Sequence, residues 1–180
     1  MQAAWTRTGP LKKLMTLIAA SAALAAATPA AAAPVAAAPK ANGRGLILIP
    51  LTLSKLQDLY FGTIIPSNLS GVVTVPADGT APFATGGTTL LSSDPGYRAR
   101  FAGAGTTGQL VLINVTNPVL LANGLGDNVT VLALTMDGPA IRTIDATRAF
   151  NFNVGGILLV NANQPEGIYQ ADFDVTAQYL

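Results

Sequence analysis

Gly167-Ile-Tyr-Gln-Ala-Asp-Phe-Asp-Val-Thr-Ala-Gln-Tyr-Leu180 decides the fold class. In an extended chain Tyr169, Ala171, Phe173, Val175, Ala177 and Tyr179 fall on one side, and Gln170, Asp172, Asp174, Thr176 and Gln178 on the other. A strand over residues 167–180 therefore buries one face and wets the other. Working back along the chain, the runs 46–53, 58–65, 71–76, 88–92, 97–104, 109–116, 128–136, 141–145 and 149–160 are short and rich in Val, Ile, Thr, Phe and Leu. Each is closed by Gly, Pro, Asn or Asp, the pattern of strands and turns. Val129–Met136 is apolar on both faces, as a central strand covered on both sides requires. Asp78-Gly79, Asn123-Gly124 and Gly155-Gly156 supply turn residues that tolerate positive φ. No window carries a capped 3.6-residue period. About ten short strands without helical crossovers imply an all-β antiparallel sandwich over residues 46–180.

Two segments precede it. Residues 34–45 form an Ala/Pro-rich linker, with Pro34, Pro39 and Gly43 breaking helix and no apolar period for a core; a disordered spacer is expected. Residues 1–33 hold Arg7, Lys12 and Lys13 but no acid, then an apolar run from Leu14 to Ala27 and small residues beyond. That order is a signal peptide's, and 14 residues fall short of the roughly 20 that span a bilayer. Cleavage after Ala27 or after Ala32 fits equally. Export to the periplasm, cell surface or medium follows, with no membrane span left once the leader is removed.

The chain of 180 residues has no Cys and no His. Disulfides, thiolate zinc sites, Cys nucleophiles and His bases are thereby excluded. Ten basic residues face nine acidic ones, but three of the ten lie within residues 1–33, so residues 34–180 carry seven against nine, a net −2. A mildly acidic domain is not built for nucleic acid or for an anionic membrane.

Motifs that look chemical have plainer readings. Gly103-Ala-Gly105-Thr-Thr-Gly108 spells a dinucleotide fingerprint, but a strand pattern, Gln109–Val115, follows where a phosphate-binding helix must start. A Gly-rich hairpin loop is expected. Asp172 and Asp174 share a strand face at roughly the spacing of a glycosidase pair, yet they sit on the polar side. Asp127-Asn128 and Asp137-Gly138 lack the spaced ligands of a calcium loop. The sequons at Asn68, Asn114 and Asn128 fall partly within strands. Phe61, Phe101, Phe150, Phe152, Tyr169, Phe173 and Tyr179 lie on apolar parity and read as core rather than as a sugar platform. No catalytic residue, metal site or cofactor is assigned.

Ile49-Pro-Leu-Thr-Leu-Ser-Lys55, Asp58-Leu-Tyr-Phe-Gly62, Phe152-Asn-Val-Gly-Gly-Ile-Leu158, Asn161-Ala-Asn-Gln164 and Phe173-Asp-Val-Thr176 occur in that order. Together they resemble the bacterial exported family called domain of unknown function 4402, with Tyr60 where that family usually has Asp. More distantly the "FG" strand and the closing segment resemble spore coat protein U and chaperone–usher pilin domains. That resemblance implies an immunoglobulin-like, pilin-like sandwich completed by a neighbour's strand, although such pilins often carry a disulfide. It transfers no catalytic or binding residue. In the same vein Ile47, Ile49, Leu51 and Leu53 alternate behind the linker, the form of a strand that pairs in its own sandwich or inserts at a neighbour's open edge. The functional expectation is a non-enzymatic exported structural or surface protein, a fimbrial-type subunit whose partners are copies of itself or related subunits. The alternative is a secreted module for glycan or another surface ligand, with its site on turns such as 78–87 or 122–128.

Overall fold

The structure is a computed structural model that describes residues 33–118 and 120–180; the expected signal peptide lies almost wholly outside the described residues. Residues 33–45 are exposed and carry neither helix nor strand. Leu46–Leu180 make one compact unit. It contains ten strands, β1 (Thr52–Gln57), β2 (Ile64–Val75), β3 (Phe83–Leu90), β4 (Ala99–Ala104), β5 (Leu110–Val115), β6 (Leu120–Ala122), β7 (Asn128–Met136), β8 (Ile141–Thr143), β9 (Ala149–Val160) and β10 (Val175–Tyr179). All pairings between strands are antiparallel. No described residue is helical, and so no helix here is long and apolar enough to cross a membrane.

β9 organises the larger, seven-stranded sheet. One edge pairs with β7 from Val154 to Leu159, while the other pairs first with β4 over Ala149–Val154 and then with β2 over Gly156–Val160. The change of partner falls at Gly155-Gly156, both buried. A Cβ on Gly155 would run into the Val75 carbonyl and stand 2.5 Å from the Ala77 amide nitrogen, so only glycine lets β2 come this close. β10, β5 and β8 form a second, three-stranded sheet.

The two sheets face each other across one core, which makes the sandwich. Phe101 stacks on Phe152 at 5.1 Å, Phe150 follows at 6.4 Å, and Phe173 meets Phe101 edge-on at 6.3 Å. Val111, Ile113, Ile144 and Val154 close that core. A second cluster lies further along β9: Phe61, Val73, Val75, Leu121, Val129, Val131, Leu158 and Val160. These come from the large sheet and the chain just before it, with no residue of β5, β8 or β10 among them. The smaller sheet thus covers only the first half of β9.

The ten strands are not the ten expected runs. The opening strand starts at Thr52 rather than at residue 46, because residues 46–51 have no ladder partner. Residues 58–63 make an isolated bridge, Tyr60 to Tyr97, and pair continuously only from Ile64. The segment expected as a strand over 167–180 is a strand from Val175 to Tyr179 alone; ahead of the ladder Tyr169 and Phe173 are half-buried and Gln170, Asp172 and Asp174 exposed as expected, but Ala171, expected on the core face, is exposed too. β7 lies between β6 and β9 but is not covered on both faces throughout: Leu132, a bulge residue, is 49% exposed, and Thr135 is exposed as well. The glycines at 103–108 do not turn a hairpin: they carry the chain from β4 in one sheet to β5 in the other. β6, three residues long, is too short to announce itself by alternation.

Candidate strand-exchange site

The four alternating residues of the candidate arm divide between two environments. Leu53, opposite Gly103 in the β1–β4 ladder, packs with Leu51 on the Phe101/Phe152 core. Ile47 is 95% exposed and Ile49 43%, with Leu46 at 77%. Ile49 is the hinge between them. Its amide donates to Thr106 Oγ1 at 2.8 Å and its carbonyl accepts from the Tyr179 hydroxyl at 2.7 Å. Gly105 makes that arrangement possible, since a Cβ there would stand 2.8 Å from Ile144 Cδ1 and collide with the Tyr179 hydroxyl. Leu46 and Ile47 project ahead of the anchor and Leu48 is half-buried, none of the three with a strand partner.

At the other half of β9 the sandwich is open. Where the smaller sheet stops, the second core cluster forms the floor of a groove of about 660 Å³, with Leu121, Val129, Val131, Leu158 and Val160 in its lining. One wall is Leu59–Ile64, the other Gln164–Ala171 with Phe173. The second wall is held by few bonds. Gln170 and Ala122 exchange amide bonds at 3.0 and 3.1 Å. The Tyr169 hydroxyl donates to the Pro165 carbonyl at 2.8 Å and accepts from Gln164, whose amide also reaches the Asn128 carbonyl at 3.2 Å. Ile168 is 83% exposed. Only Gln164 and Tyr169 of residues 164–171 are half-buried, the wall lacks a continuous ladder, and Glu166 is the one charged residue among the described residues lining the groove. An extended apolar segment lying over this nearly buried floor supplies what the wall lacks, backbone partners.

The other sequence candidates disperse. Asp172 and Asp174 are exposed, precede β10, and line no part of the groove. Among the described residues no three acids gather as a metal site. Asp127 closes the 123–127 turn instead, accepting from the Asn123 amide at 2.9 Å. Asp137 clasps the loop before β8. It pairs with Arg142 at 2.6 Å and accepts from Asn153. Burial there opposes ionisation, but the Arg142 and Asn153 hydrogen bonds outweigh it and hold the carboxyl below the ordinary carboxylate range.

Sequence reasoning missed an exposed aromatic pair. Tyr60 and Tyr97 stand 5.3 Å apart on the isolated bridge. Tyr60 Oη and Thr63 Oγ1 both donate to Asp94, at 2.6 and 2.7 Å. The Tyr60 bond, then the Thr63 bond, holds the Asp94 carboxyl below its usual range. Gly62 and Gly96, both at positive φ, let the two turns meet. Those glycines beside tyrosines were the available signal, but only a long-range bridge unites them.

A family model described as Domain of unknown function (DUF4402) matches residues 51–179. No curated protein matches the chain, nor does any solved structure.

Proposed function

The chain belongs to the Domain of unknown function (DUF4402) family, and from that premise we propose that it is an exported, non-enzymatic structural subunit that assembles with other copies of itself by strand addition. The observation that carries this reading is the groove beside a 164–174 wall that is bridged to the sheet at Gln170 and forms no ladder, in a chain that also presents Leu46–Leu48 without a ladder partner. The donor is the arm of a second copy. Within one copy the arm is tied at Ile49 to Thr106 and Tyr179, beside the core that contains Phe150 and Phe152. The groove floor contains Leu158 and Val160. Phe152 to Leu158 along β9 is about 20 Å at ~3.3 Å per residue, whereas Leu46–Leu48 reach about 10 Å. A copy's own arm is too short, so the complementary surfaces meet between copies.

Light scattering of the full chain over a concentration series tests this. The native protein is expected to form concentration-dependent oligomers, and Ile47→Asp combined with Leu46→Asp to remain monomeric with an unchanged melting temperature. A synthetic peptide of residues 44–53 should bind that monomeric variant, whose groove is intact. A native chain that stays monomeric, or a peptide that does not bind, overturns the proposal.

A further inference from the structure

A second concavity, of about 250 Å³, lies between the end of β1, the approach to β4 and the turn after β2, with Val75 of the second core cluster in its lining. It is smaller than the roughly 300–1,000 Å³ that drug-sized ligands occupy, and has room for about one sugar ring. Its lining is cationic in a domain that is net acidic. Arg98 and Arg100 are two residues apart and share one side of the chain. Arg98 uses one N–H on the Ala77 carbonyl, 2.8 Å away. Arg100 is exposed and belongs to neither ion pair found among the described residues, Lys55–Asp58 and Arg142–Asp137.

The neighbours of Arg100 suit a ring that carries an acid. Gln57 stands opposite it in the β1–β4 ladder and offers an amide. Tyr97, 45% exposed, presents an aromatic surface braced by Tyr60, which Asp94 in turn holds. Asp94 is thereby occupied; Asp78, which accepts from Thr80, is stabilised by the charge of Arg98, so the carboxylate-reading role falls to Arg100. An aromatic face packs well against the C–H side of a pyranose, and a guanidinium reads a carboxylate with two parallel hydrogen bonds. We infer that this concavity binds one unit of a carboxylated polysaccharide, its ring on Tyr97 and its carboxylate on Arg100. Two arginines on a domain of net −2 are too little charge for the dense phosphates of nucleic acid. The site stands independently of strand exchange.

Calorimetric titration of the full chain at low ionic strength tests it, with an α-1,4-linked galacturonate hexamer as probe and a galactose hexamer as its neutral counterpart. Saturable binding of the galacturonate is expected, with the neutral sugar about tenfold weaker or more. Arg100→Glu and Tyr97→Ala should each weaken galacturonate binding by about tenfold, and Arg100→Glu, outside the groove, should leave the melting curve and oligomeric state native. Arg148→Ala, on an unrelated turn, should bind as the native chain does. Absence of saturable galacturonate binding, equal affinity for the neutral sugar, or an Arg100→Glu variant that binds normally each overturns the assignment.

Discussion

Asp137 illustrates how a single side chain fixes a local fold without cysteine. With only about a fifth of it and of Arg142 exposed, the pair keeps more of its Coulombic strength than a surface bridge does. Its depressed pKa carries a definite sign. The stabilisation is complete above the unfolded-state value near ~3.9 and is lost as pH falls through the lower folded-state value. Asp137→Asn should therefore cost about 1–3 kcal/mol at pH 7 and less below pH ~3, as urea denaturation at the two pH values will measure. Gly155 fails differently. Gly155→Ala drives a methyl into the Val75 carbonyl, where neither backbone can yield without breaking the β2–β9 ladder. A loss of about 1–3 kcal/mol is expected from such overpacking, read as a lower urea midpoint.

At the scale of elements, alternation and pairing prove separable. β9 was legible because Phe150, Phe152, Val154, Leu158 and Val160 recur on one face and turns bound the run; its expected and observed limits coincide. The closing segment shows the same residue parity but becomes a strand only where β5 gives it a ladder, Val175↔Val115 to Tyr179↔Val111. Side-chain period reports which face is apolar, whereas strand extent depends on a neighbour that sequence does not place. The groove was invisible for the same reason. Its walls lie about a hundred residues apart in sequence, and its floor reads as ordinary core. Hydrogen exchange on the monomeric arm variant should separate the two cases. Amides of 164–174 should exchange orders of magnitude faster than those of 156–160, which sit between two ladders. Binding of the 44–53 peptide should slow the former selectively.

For the whole molecule, the absence of His and Cys leaves no side chain with an ordinary pKa between about 5 and 8. Thermal stability should be flat over that range and decline below pH ~4, as the depressed carboxyls of Asp78, Asp94, Asp137 and Asp145 protonate. Scanning calorimetry across the range checks it. In the assembly proposed above, β9 determines how load passes between subunits. The arm is anchored beside one core and the groove opens over the other, so tension between neighbours passes along β9 from the β4 ladder to the β2 and β7 ladders. Antiparallel hydrogen bonds lie across the strands, and a pull along them meets every rung at once in shear instead of peeling rungs singly. In that proposed assembly the strand that switches partners at a pair of glycines is the tensile member, and at the switch β7 alone, through Thr135↔Gly155, bridges the step between the β4 and β2 ladders.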